Sequence, residues 1–227
     1  MRVAVIFRGH KRNWDYVKLE VLNFFENLRL SCDSLDYFVA VWRKNSEYED
    51  IKLDFPLDKL KGFLIVNDNI KYNAMTGPAY LSKLLYPFLS KEELRTKSYD
   101  VIIETRFDMW FKKRDILFKL PPKNSVGYTS VFPEISMHMD DHCFVFDRLS
   151  YEQWHEALGN FEPSEDMHLF YGRIARACGF QTYIIPWWSS GIERPVQDFD
   201  KLLINDRKKV ILDMNLDPDD FLKHLEN

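Results

Sequence analysis

Tyr99-Asp100-Val101-Ile102-Ile103-Glu104-Thr105-Arg106-Phe107-Asp108 is the stretch on which the fold turns. Its apolar, β-branched centre reads as a buried strand from Tyr99 to Thr105. The strand runs straight into a charged turn, Arg106-Phe107-Asp108. In open α/β sheets, ligands bind beyond the carboxyl ends of the strands. An Asp in such a turn can hold a hard divalent ion through oxygen, and the ion can bridge two phosphates. Arg106 can meet a phosphate directly, because a guanidinium matches its geometry. A structural Arg–Asp pair at a turn satisfies the same spacing.

Working outward, Arg2 to Phe7 reads as a first strand and Arg8-Gly9-His10 as the loop after it. Neither GxGxxG nor GxxxxGK[ST] occurs, so no dinucleotide fingerprint or P-loop is supported. Val17, Val21, Leu22, Phe25 and Leu28 recur at helical spacing between Asp15 and Leu30. Asp36 to Trp42 and Gly62 to Val66 read as strands, the second closed by Asn67-Asp68-Asn69. Residues 43–61, with Pro56, read as a loop holding a short helix. Residues 78–96 read as a helix that Pro87 kinks or interrupts.

Beyond the central stretch, Val126 to Phe132 and His142 to Asp147 read as strands, and Tyr151 to Leu158 as a short helix. Ser164 to Cys178 is a marked helix: Ser164 as N-cap, Glu165 and Asp166 in the first turn, Gly179 as the stop. Gln181 to Ile185 is a final strand, ended by Pro186. The alternation predicts an α/β domain over residues 1–197, with a mostly parallel sheet and helices on both faces. Residues 198–227 are expected as a helical tail packed on it. Arg8, Asp68, Arg106 and Asp108 all follow predicted strand ends, so they can share one rim.

A net charge of −4 gives no general attraction to nucleic acid or anionic lipid. Two local basic runs, Arg8/His10/Lys11/Arg12 and Lys112/Lys113/Arg114, read as solvated surface or as a rim able to grip a duplex. Cys32, Cys143 and Cys178 are far apart and odd in number, which argues for reduced thiols in a cytosol-like compartment. The opening apolar run stops at Arg8, and no stretch approaches the ~20 residues needed to span a bilayer. A cytoplasmic protein without a membrane span is expected.

Three further constellations carry chemistry. Glu165 and Asp166 oppose the helix dipole favourably, and a carboxylate there can also take a proton from an attacking hydroxyl. In His138-Met139-Asp140-Asp141-His142 the extended chain alternates faces, so His138, Asp140 and His142 can share one side. They read as a metal cluster, an acceptor-pocket wall or ordinary surface. Trp187-Trp188-Ser189-Ser190-Gly191 reads as a loop whose aromatics stack on a sugar face or fill the core. Lys83 and Tyr80 lie on the helix before the central strand.

Glu165-Asp166, Leu169, Arg173, Gly179 and Pro186, in that order, resemble the acidic-pair helix and following strand of GT-A-fold glycosyltransferases. Cys143-Phe144-Val145-Phe146-Asp147-Arg148-Leu149-Ser150-Tyr151-Glu152-Gln153-Trp154 resembles the strand and short helix that precede it there. The opening Val3 to Arg12 and the Tyr99-to-Asp108 segment resemble short viral and bacterial glycosyltransferase-like proteins that carry RxD. The resemblance covers roughly residues 1–190.

The resemblance implies a GT-A-like single domain and an inverting hexosyl- or pentosyltransferase. Asp166 inherits the role of catalytic base and Glu165 a supporting one. Asp108 stands at the last Asp of the DxD metal motif, for Mn²⁺ or Mg²⁺, and Arg106 replaces the first. Arg8, Gly9, Asp68, Lys83, Arg106 and Asp108 are the donor-binding candidates, with a UDP-sugar as the leading nucleotide diphosphate-sugar. His138, Asp140, Asp141, Trp187 and Trp188 are the acceptor-side candidates, for a glycan or a hydroxylated base in phage DNA. A viral or phage enzyme would work in the host cytoplasm. The alternative is a non-catalytic nucleotide-sugar or glycan-binding module of the same fold.

Overall fold

The structure, a computed structural model, describes residues 1–11, 14–43, 51–67, 77–107, 109–111, 120–128, 139, 142–158, 160, 167–185 and 189–191. The first half alternates strand and helix: β1 (Arg2–Gly9), α1 (Trp14–Arg29), β2 (Ser34–Arg43), α2 (Ile51–Asp54), β3 (Leu60–Asn67), α3 (Gly77–Arg95) and β4 (Val101–Thr105). The second half runs β5 (Met109–Phe111), β6 (Ser125–Tyr128), β7 (Cys143–Asp147), α4 (Arg148–Leu158), α5 (Met167–Ala177), β8 (Gln181–Ile184) and β9 (Ser189–Gly191).

Seven strands form one sheet in the order β3-β2-β1-β4-β7-β6-β8. β1, β2, β3 and β4 pair in parallel, and so do β6 and β8. β7 runs against both its neighbours. The mostly parallel α/β sheet expected from the alternation is therefore present. A parallel sheet must bury both faces, because its crossovers lay helices on each side. That is why β1 and β2 read as continuous apolar runs. Val3, Val5 and Phe7 face a core shared with Val17, Val21 and Phe25 of α1. Ala4 and Ile6 face a second core with Leu81, Leu85 and Leu89 of α3 and Tyr171 of α5.

Local signals set the ends. Asp147 caps α4: its Oδ1 accepts from the N–H groups of Leu149 (3.0 Å) and Ser150 (3.1 Å). The helix therefore starts at Arg148, three residues before the expected Tyr151. Gly179 closes α5 with φ +67°, as its place after the periodic stretch predicts. The N–H of Phe180 reaches Ala175 O (2.9 Å) and that of Gly179 reaches Arg176 O (3.0 Å), which satisfies two terminal carbonyls.

Three expectations are corrected. Arg8 and Gly9 belong to β1, in register with Ala40 and Val41, and are not part of a loop. Pro87 does not interrupt α3, which runs unbroken from Gly77 to Arg95. Leu81, Leu85 and Leu89 are buried on either side of it and hold the helix to the sheet. Ser189–Gly191 is a strand, paired antiparallel with β5, which itself was not foreseen. The segment expected as a strand to Phe132 forms β6 over Ser125–Tyr128, and its remainder lies outside the described residues. So do Ser164, the basic run at 112–114 and the tail at 198–227.

Pro87 removes the N–H that would bond the carbonyl of Lys83. His155 of α4 stacks on Tyr86, the residue before Pro87, at 4.1 Å. Burial, with the nearby Lys83 charge, pushes the His155 imidazolium down to about 4 from 6.5. The unfolded chain then binds more protons between those values, so stability falls as pH drops from 6.5 toward 4. Melting temperatures at pH 7 and pH 4.5 should diverge less in His155→Phe, which keeps the ring stack, than in the wild type. An equal divergence in both proteins would remove His155 from the acid sensitivity.

Candidate active site at the carboxyl edge of the sheet

Because β1, β2, β3, β4, β6 and β8 run one way, their carboxyl ends share an edge with the amino end of β7. The turn after β4 is built into that edge. Arg106 N–H donates to the His142 carbonyl at 3.1 Å, and Thr105 Oγ1 donates to the same oxygen at 3.2 Å. Phe107 is fully buried against Phe7 (5.6 Å between ring centroids) and Trp14 (5.4 Å). Trp14 is itself fixed, its Nε1 donating to Asp54 Oδ2 at 2.8 Å. Met109 is buried too, and Phe111 stacks on Phe24 at 4.4 Å. The chain is thus anchored on both sides of position 108. β9 lies alongside, Met109 opposite Gly191 and Phe111 opposite Ser189.

Arg8 departs from its reading as part of a solvated basic run. It is 0% exposed and paired with Glu104, which is also 0% exposed. Ser82 Oγ of α3 lies 2.8 Å from the same Glu104 oxygen. The guanidinium carbon sits 5.7 Å from the Phe144 ring centroid and 5.8 Å from that of Tyr171. Gly9 follows with φ +123°, a conformation that disfavours any side chain, and a Cβ there would meet nothing within 4 Å. Gly9 is itself buried, with room only where a Cβ would stand. Next to it, His10 lies 6.4 Å from Trp42, which stacks on Tyr80 at 6.2 Å.

Of the donor-side candidates, the structure brings Arg8, Gly9 and Arg106 to one edge: strand register sets Phe7 opposite Thr105, the residues just before Arg8 and Arg106. Lys83 lies on α3 beside His155 of α4, where its charge is felt by that imidazole. Asp68 and Asp108 lie outside the described residues. Glu165 and Asp166 do as well, although Met167, the next residue, begins α5. Tyr171, one turn along α5, packs on Phe144 at 5.0 Å. On the acceptor side, His138, Asp140, Asp141, Trp187 and Trp188 lie outside the described residues. Their neighbour Met139 is buried in the α3–α5 core.

Sequence reasoning passed over Glu104, Ser82 and Trp42 as site-forming residues. Glu104 had a legible signal. An acid inside an apolar strand needs a buried cation, and Arg8 has the same face parity at the end of the neighbouring strand. Trp42 and Ser82 carried no comparable mark.

Among the described residues, no three His, Cys, Asp or Glu side chains stand together as a metal set. Glu104, the carboxylate beneath the turn, is taken up by Arg8 and Ser82. The described residues alone do not make up a divalent-ion site, and Asp108, the candidate ligand, lies outside them. Among the same residues, no helix is long and apolar enough to cross a membrane.

No family model matches the chain, and no curated protein does. Solved structures do. A mutant of Drosophila β-1,4-galactosyltransferase 7, in complex with manganese, UDP-galactose and xylobiose, matches with a TM-score of 0.51 at 12% identity, over 92% of this chain and 79% of that one. The catalytic domain of the Drosophila enzyme with xylobiose matches with a TM-score of 0.50, at the same identity and coverage. A glycosyltransferase involved in glycosylation of the major capsid of PBCV-1 matches at 0.47, with 8% identity over 82% and 81% of the two chains. At such identities the likeness concerns architecture alone: the chain has the GT-A-type fold of nucleotide-diphospho-sugar transferases.

Proposed function

We propose that this chain is an inverting glycosyltransferase that moves a sugar from a nucleotide diphosphate-sugar to an acceptor hydroxyl. One observation carries the reading: β1, β4 and α5 meet at one end of the sheet, where Arg8 pairs with Glu104 and packs on Tyr171. In the chain the RxD turn follows β4 and the acid pair precedes α5, which supports assigning both to that end.

In this reading the donor diphosphate lies toward the Gly9 backbone and the guanidinium of Arg106, with Arg8, Lys83, Asp68 and Asp108 completing the donor side. Asp166, supported by Glu165, takes the proton of the acceptor hydroxyl as it attacks the anomeric carbon, and the nucleotide diphosphate leaves. Arg106 supplies charge to the leaving group, a demand that dominates sugar transfer from such donors. Asp108 is the assigned ligand for Mn²⁺ or Mg²⁺. The neighbouring Drosophila structure holds UDP-galactose and a xylobiose acceptor. A UDP-hexose or UDP-pentose is accordingly the first donor to test. A glycan is the first acceptor, with a hydroxylated base in phage DNA as the second. His138, Asp140, Asp141, Trp187 and Trp188 are assigned to the acceptor side. The cytoplasmic assignment rests on Cys32, Cys143 and Cys178, none of which is in a disulfide.

The second reading, a binding module without chemistry, is favoured by Arg106 in place of a first metal-binding Asp. UDP-, GDP-, CDP- and dTDP-sugars screened by thermal shift, followed by assay of free nucleotide diphosphate with Mn²⁺, Mg²⁺ or EDTA, separate the two. We expect stabilisation and release for at least one donor. Stabilisation without release leaves the binding module, and neither signal removes both readings.

A further inference from the structure

We propose that the buried Arg8–Glu104 pair is a positioning element of the reacting centre, and not a stabiliser of the fold. Even-numbered positions on β1 and β4 face the α3 side of the sheet, where Ala4, Ile6 and Ile102 are apolar. At the last step toward the site edge this lining changes to an ion pair, both members 0% exposed. Taking two charges out of water costs more than their attraction returns unless every remaining polar atom is satisfied. Here Glu104 Oε2 is buried with no hydrogen-bond partner among the described residues. The hydroxyl of Tyr151, also buried in this core, has none among them either. A pair selected for stability would not leave such atoms; an apolar pair of similar volume would fold at least as well.

The pair has a direction. Its negative end is held by Ser82 on α3, at 2.8 Å. Its positive end lies against Phe144 of β7 and Tyr171 of α5. Glu104 and Ser82 therefore hold a cation in a fixed place between the ends of β1 and β4 and the first turns of α5. The RxD turn and the acid pair flank those same elements. Arg8 is fully buried, so it acts by fixing the distance and field between the two halves of the site. A displacement of about 1 Å in such a support can cost about 10²-fold in rate.

The inference rests on the transferase reading, and the test separates the two. The double variant Arg8→Met/Glu104→Leu is compared with the wild type for melting temperature, donor KM and kcat of transfer. Ser82 keeps the Pro78 carbonyl, 3.1 Å away, as its hydrogen-bond partner in that variant. We expect an unchanged or raised melting temperature, a donor KM within about threefold, and a kcat about 10²-fold lower. A folded double variant with kcat within about threefold of wild type overturns the proposal. If the double variant fails to fold, the pair is structural and the proposal falls by that route too. Glu104→Gln, which keeps an acceptor for Arg8 and Ser82, gives an independent arm. A lower kcat at unchanged donor KM supports the proposal, and wild-type kinetics contradict it. Should the wild type release no nucleotide diphosphate from any donor, it is the transferase reading that fails, and this inference goes with it.

Discussion

Asp166→Asn is expected to lower the rate of sugar transfer by about 10²–10⁴-fold, the usual contribution of a positioned general base. The substitution is nearly isosteric, and an amide cannot accept the acceptor's proton at neutral pH. Donor binding should survive, because Gly9 and Arg106 belong to β1 and to the turn after β4, different elements from α5. Thermal stabilisation by the nucleotide diphosphate should therefore match the wild type. The loss should fall on kcat with saturating donor and acceptor, since the interaction removed is made only as the hydroxyl attacks. Removing one carboxylate ahead of a helix weakens the dipole interaction by about 0.3–1 kcal/mol, too little to unfold the domain. Glu165→Gln should cost less, as befits a supporting residue. Turnover near wild type in Asp166→Asn takes the base assignment away, and a lost diphosphate response would mean that the acid pair also shapes the donor side.

The fold was legible where burial is two-sided. Val3 to Phe7, Tyr37 to Val41 and Val101 to Ile103 are unbroken apolar runs because helices cover both faces of the sheet, and the helical spacing of Val17, Val21, Phe25 and Leu28 shows which stripe α1 presents. Capping chemistry was legible at Gly179 and available, though unused, at Asp147. What escaped depends on long-range partners. Met109–Phe111 is three residues long, and its pairing with Ser189–Gly191 closes a separation of some eighty residues that no local pattern records. Pro87 breaks a local rule and survives because packing against the sheet outweighs one lost hydrogen bond. In the site, the order of motifs brought β1, the turn after β4 and α5 into one reading. The burial of Arg8 stayed hidden because a basic residue followed by Gly9-His10-Lys11-Arg12 looks like surface until Glu104 is seen opposite it.

Phe107→Ala should be the most damaging single truncation at the site edge. The ring is fully buried and meets Phe7, Trp14 and, through Trp14, the stacked Phe55. Truncating a buried Phe costs about 3–5 kcal/mol, the lost transfer energy plus the cavity. For a domain of this size, that is a fall of roughly 6–20 °C in melting temperature. Stability loss alone would not distinguish Phe107 from its neighbours, so Phe55→Ala is the control. Phe55 is equally buried, touching Phe7 at 5.2 Å and Tyr37 at 5.4 Å, but it follows α2 and not the RxD turn. At a temperature where both variants remain folded, Phe55→Ala should keep its response to nucleotide diphosphate. Phe107→Ala should lose it, because the turn that carries Arg106 then lacks the buried wedge beneath it. Equal responses from the two variants would mean that the aromatic cluster holds the core without aiming the turn, and Arg106 would need another anchor.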